Sequence, residues 1–88
     1  MNRYLCLVPI TGTLHAGDIV EYDSTAHAYK VLASGTPAGF VRQIDSANYA
    51  VIQFSGIVYA DELTATATED LKAKLRTVGL FVEPRINA

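Results

Sequence analysis

The chain has 88 residues, half of them apolar and 18% charged, with a formal net charge of −2, one cysteine and no tryptophan. A chain of this length makes a single domain that hides only about 60–65% of its unfolded surface, and its apolar share argues against disorder. The acids concentrate in residues 17–62, where six face two bases; such a body has little with which to displace counterions from a phosphate backbone, so nucleic acid is not an expected partner.

Before residue 63, stretches rich in Val, Ile, Tyr and Phe alternate with turn-forming residues at intervals of about 8–12 positions, the spacing of an all-β barrel or sandwich. The first candidate strand, 3–8, surrounds the lone Cys6. It reads as a strand or as an N-terminal arm able to add to a neighbour's sheet. Pro9 interrupts the run and Leu14-His15-Ala16 is no small-x-small cleavage site, so no secretion signal is expected. One cysteine excludes an internal disulfide, a thiolate zinc cage and a CxxC pair. No apolar run approaches the ~20 residues of a bilayer span. A soluble protein of a thiol-reducing compartment is expected.

Candidate strands 18–22 and 28–33 flank Asp23-Ser24-Thr25-Ala26-His27, whose short polar side chains close a hairpin. Strands 39–44 and 49–54 flank a second such loop, Asp45-Ser46-Ala47-Asn48. Gly35-Thr36-Pro37-Ala38-Gly39 joins the two hairpins, and an antiparallel meander follows. Strict alternation places Val41 and Gln43 on one face of 39–44 and Phe40, Arg42 and Ile44 on the other. In 49–54, Ala50, Ile52 and Phe54 oppose Tyr49, Val51 and Gln53, so each strand is expected to have one dry side. A further strand is expected at 56–60.

Residues 66–79 carry a helical period. Thr66 and Glu69 have capping-box spacing, with Thr68 an equal candidate for the N-cap; Leu71, Leu75 and Val78 form one apolar stripe, and Gly79 stands at the C′ position. Leu80-Phe81-Val82 follows as a short closing strand that Pro84 confines to an edge or an end. The expected fold is mainly β (α+β): a small antiparallel β-barrel or sandwich of about six strands, with one C-terminal helix and a closing strand at 80–84. It forms one domain over 1–88, with its barrel body at 17–62.

Candidate reactive groups are sparse. His15 and His27 lack partners at metal-ligand spacing apart from Asp18, three positions after His15, and read as solvent-exposed loop residues. Cys6 between Leu5 and Leu7 reads as strand packing rather than a nucleophile. Asp18, Glu21 and Asp23 lack the order of a calcium loop and read as solvated hairpin acids. The two glycines of 35–39 lack the Lys-Ser/Thr of a phosphate cradle. No catalytic, cofactor-binding or metal-binding residue is therefore expected, and no enzyme. Tyr22, Tyr29, Tyr49 and Tyr59, with only Arg42 and Lys30 nearby, support an alternative: a small β-barrel binding carbohydrate or single-stranded nucleic acid.

Gly17-Asp18-Ile19-Val20, then a hairpin, then Pro37-Ala38-Gly39-Phe40-Val41, then Val51-Ile52-Gln53-Phe54-Ser55-Gly56-Ile57-Val58 resembles the small head-decoration, or capsid cement, proteins of tailed phages. The resemblance covers 17–60, about half the chain, and the ending resembles the base of phage head fibres. It implies a small β-barrel that binds the outside of an icosahedral shell without catalysis. Its partners would be the major capsid protein or another virion protein, together with copies of itself, a trimer first among the oligomers. It also implies synthesis in the bacterial host's cytoplasm and residence in the virion, with Gly17, Gly39 and Gly56 at corners and Val20, Val41, Ile52 and Val58 in the core. Gly79 joins them as a structural glycine. Tyrosine-rich, weakly charged surfaces suit protein contact, and the expected interface residues are Arg3, Tyr4, Leu5, Leu7, Tyr59 and Phe81.

Overall fold

Strand and turn residues alternate along the chain to give β1 (Tyr4–Pro9), β2 (Ile19–Asp23), β3 (Ala28–Val31), β4 (Gly39–Ile44), β5 (Tyr49–Tyr59), a 3-10 turn at Ala60–Glu62, α1 (Glu69–Thr77) and β6 (Leu80–Glu83). The structure, a computed structural model, describes residues 4–33 and 35–84; Arg3 and the start of the expected arm lie outside the described residues. Five strands form an antiparallel sheet in the order β1-β5-β4-β2-β3, and β6 runs parallel to the second half of β5. Tyr4–Pro9 is thus a strand of the chain's own sheet.

Several sequence expectations need correction. The segments 49–54 and 56–60 are one 11-residue strand. Gly56 takes φ +103°, but the chain continues past it because the Gln53 amide donates to the carbonyls of Ser55 (3.0 Å) and Ile57 (3.1 Å) on either side. The sheet is not a meander either, since β4 lies beside β2, with Ile19 opposite Phe40 and Val20 opposite Gly39. Ile19 and Val20 are both buried, whereas Val31 is exposed; the strand apolar on both faces takes the interior position and β3 is left at the edge. Finally, among the described residues no ladder closes the sheet. There a parallel bridge, Ile10 to Tyr29, joins the ends, with the Thr11 amide donating to the Tyr29 carbonyl at 2.9 Å.

A bulge overturns the expected alternation in β4. The register shifts between Val41 and Gln43, so Val41 sits opposite Ile52 while Gln43 sits opposite Val51. An extra residue reverses the faces beyond it. Val41 and Gln43 therefore lie on opposite faces, and Ile44 shares the face of Val41. Phe40 and Arg42 do stay together, the guanidinium carbon 4.7 Å from the ring centroid.

Each face of the sheet carries a buried core, contrary to the one-sided expectation. Ile10, Leu14, Val20, Val41, Ala50 and Ile52 form one core, with Val8, Tyr29 and Phe54 packed against it. Ile19, Phe40, Val58, Leu75 and Leu80 form a second on the other side. The second exists because α1 and β6 fold back over the sheet. Leu75 of the expected stripe is fully buried there, with Leu71 and Val78 partly so. The helix starts later than the capping-box reading, at Glu69, because Thr68 caps it by accepting from the Leu71 amide at 3.2 Å. Each large apolar side chain buried in this way contributes about 1.5–3 kcal/mol.

Candidate functional site

The sheet's two ends differ in chemistry. At β3, Lys30 lies 4.0 Å from Glu21 and 3.9 Å from Asp23, and residues 10–11 cover the strand near Tyr29. Charge and cover are the usual protection of a sheet edge. At β1 the sequence Tyr4-Leu5-Cys6-Leu7-Val8-Pro9 carries no charge at all. Cys6 and Val8 are half-buried on the inner face, and Tyr4, Leu5 and Leu7 are exposed by 61, 47 and 57%.

The ladder fixes which backbone groups of β1 are unpaired. The Ile10 amide donates to the Asn48 carbonyl at 2.9 Å, and β1 runs opposite β5 with Pro9 against Tyr49, Val8 against Ala50 and Cys6 against Ile52. Hydrogen-bonded and non-bonded pairs alternate in an antiparallel ladder. Ile10, Val8 and Cys6 therefore turn their backbone groups toward β5, and Leu5, Leu7 and Pro9 turn theirs away. Proline costs the ladder nothing at such a position, because its missing N–H would have faced outward. Leu5 and Leu7 are left presenting outward donors and acceptors beside exposed apolar side chains.

Behind this edge runs a row of aromatic rings that crosses four strands. Tyr4 lies 6.2 Å from Phe54, Phe54 5.4 Å from Tyr29, and Tyr29 5.1 Å from Tyr22. Burial, then the neighbouring Tyr22 and Cys6, push the Tyr29 phenol above its ordinary pKa. Interaction with Cys6, first as a hydrogen bond and then as charge repulsion, does the same to Tyr4. Tyr49, by contrast, is exposed at the start of β5.

Of the other expected contact residues, Tyr59 and Phe81 belong to the β5–β6 ladder, Tyr59 opposite Glu83 and Phe81 opposite Ile57, and are half-buried. The structure does not bring them onto the β1 edge. Arg3 lies outside the described residues. Among the glycines, Gly39 is fixed by close approach: a Cβ there would strike Ile52 Cγ2 and lie 3.1 Å from the Gln53 carbonyl oxygen. Gly17, at φ +98°, lies against the Glu62 carbonyl.

Two polar clusters escaped the sequence reading. Asp18, expected as a solvated hairpin acid, is buried. It accepts from the His15 amide at 2.8 Å and from the Thr64 hydroxyl, tying the start of β2 to the segment before α1. His15 and His27 are exposed. Gln53 is fully buried and accepts from Arg42 Nε at 2.6 Å, while Arg42 Nη1 pairs with Glu62. Every polar side-chain atom of Gln53 is engaged, so this cluster braces the bend of β5.

Two small concave features lie among the described residues. A cleft of about 220 Å³ is lined by Ile10, Gly12, Thr13, Leu14, Ile44, Ser46 and Ala47, with no titratable group among them. A second of about 310 Å³ lies between the 35–37 loop and Lys74 and Thr77 of α1. Among the described residues no group of three or more His, Cys, Asp or Glu side chains could hold a metal ion, and no helix is long and apolar enough to cross a membrane. Comparison of the chain with protein-family models, curated proteins and solved structures finds no significant match.

Proposed function

We propose that the chain is a structural protein of a phage particle, decorating or cementing the capsid through protein–protein contacts without catalysis. The partner in this reading is the major capsid protein or another virion protein, and the chain acts together with copies of itself. Its sheet works as a barrel left open between β1 and β3. The observation that carries the reading is the β1 edge: uncharged, with exposed Leu5 and Leu7 beside outward backbone donors and acceptors, it is suited to being covered by polypeptide. The resemblance over 17–60 supplies the particle. Purified protein mixed with empty shells is expected to co-sediment with them and to appear as regular added density in negative stain. Shells that remain bare at micromolar protein would overturn the proposal.

The aromatic row favours a second reading, a module that stacks sugar rings or bases on Tyr4 and Tyr22, the most exposed members of the row. Among the described residues of these strands the one cation is Lys30, flanked by Glu21 and Asp23, which favours sugar over phosphate. Tyrosine fluorescence titrated with oligosaccharides and oligonucleotides at two salt concentrations separates the two ligands, because phosphate binding must weaken with salt.

A further inference from the structure

We infer that the polypeptide covering the β1 edge is a second copy of this chain, paired antiparallel about a two-fold axis through Cys6. The inference rests on the reading of this edge as an interaction surface and names its partner. Beyond Pro9 the outer side of the strand is taken by β3, through the Ile10–Tyr29 bridge. The free described stretch is therefore Tyr4–Val8, within which Cys6 separates the outward-facing Leu5 and Leu7.

That stretch is complementary to itself. Leu5 and Leu7, the residues of that stretch with outward backbone groups, stand symmetrically about Cys6. In an antiparallel pair Leu5 of one copy faces Leu7 of the other twice, giving four backbone hydrogen bonds and apolar contacts on one face. No charge on either strand opposes the approach, whereas two β3 edges would set Lys30 and its carboxylate neighbours against their own kind. The exposed parts of Tyr4, Leu5 and Leu7 amount to roughly 300 Å² per copy, well under the ~800 Å² per partner of a stable interface. Pairing is therefore weak in free solution and strong only where copies are concentrated, as on a particle surface. A two-fold pair takes the place of the trimer that the phage resemblance implies.

Cys6 reports on this arrangement. At the centre of the pair the two Cys6 residues form a non-hydrogen-bonded couple with Cα atoms about 4.5 Å apart, inside the range a disulfide spans. Diamide oxidises two thiols to one disulfide and takes up the two hydrogens. The test compares wild type, Leu5→Lys/Leu7→Lys and Leu5→Glu/Leu7→Lys at about 1 mM. The first variant sets like charges opposite each other while bringing the net charge from −2 to zero; the second sets opposite charges together and leaves the net charge unchanged. Wild type is expected to give a covalent dimer at least tenfold faster than the Lys/Lys variant, with the Glu/Lys variant within threefold of wild type. Equal rates in the two variants, or no linked dimer from wild type, would overturn the inference. Shell binding without linked dimers leaves decoration standing and removes self-pairing; linked dimers with bare shells do the reverse.

Discussion

Replacing Gln53 by Leu removes a hub while keeping its volume. The Gln53 side chain is fully buried, donates to the carbonyls of Ser55 and Ile57 and accepts from Arg42 Nε at 2.6 Å. Leucine makes none of these three bonds, and each abandoned partner costs about 1–3 kcal/mol, with the charged guanidinium at the upper end. Partial compensation, such as the 3.5 Å contact from Arg42 Nη2 to the Ile57 carbonyl, brings the expected loss to about 3–5 kcal/mol. A domain of this length has a stability of only about 4–13 kcal/mol. Urea unfolding followed by circular dichroism should show the midpoint falling by about 3–5 M at a slope near 1 kcal/mol/M. A Gln53→Leu protein within 0.5 kcal/mol of wild type would refute the view that this amide braces the β5 bend.

Other expected outcomes follow from single positions. Gly39→Ala pushes a methyl group into Ile52 and should cost about 1–3 kcal/mol, read as a fall in Tm of at least about 5 °C; an unchanged Tm contradicts the close approach. His27 holds φ +54° in the β2–β3 turn, so His27→Gly should be at least as stable as wild type, while His27→Val should lose about 1–2 kcal/mol; the opposite ranking in thermal melts contradicts the turn geometry. Glu21 accepts from the amides of Ala33 and Gly35, and Asp23 from those of Ala26 and Thr25; these bonds hold both carboxyls below their ordinary pKa. The unfolded chain thus takes up protons first, and the stability these groups lend is complete at neutral pH and lost as pH falls below about 4 through the native values. Urea midpoints between pH 7 and pH 3 should decline, and less steeply in Glu21→Gln/Asp23→Asn; equal slopes refute the assignment.

What the sequence made legible is what neighbouring residues decide. The polar loops 24–27 and 45–48 close hairpins, and the Leu71, Leu75 and Val78 stripe seats the helix. Gly56 misled because a glycine between two apolar runs reads as a turn, whereas the Gln53 amide acting across it and the β6 ladder beside it keep the strand whole. The sheet order depended on which strand is apolar on both faces, a competition between Ile19-Val20 and Tyr29-Lys30-Val31 that no local pattern resolves. Asp18 looked solvated because the hydroxyl that satisfies it belongs to Thr64, 46 positions away. At the candidate site, the apolar run at 4–8 was plain. The outward direction of Leu5 and Leu7 depended on the register against β5.

The pairing of β1 with β5 also orders events in time. Its partners lie between 40 positions apart, for Pro9 and Tyr49, and 51 apart, for Tyr4 and Ser55, while the β2–β3 and β4–β5 hairpins close over a few residues. Closing the longer loop is entropically dearer and slower, so the chain's first strand is the last to zip. Until it does, β5 stands uncovered beside every neighbouring molecule's unpaired first strand, and crowded refolding favours exchange of that segment between chains.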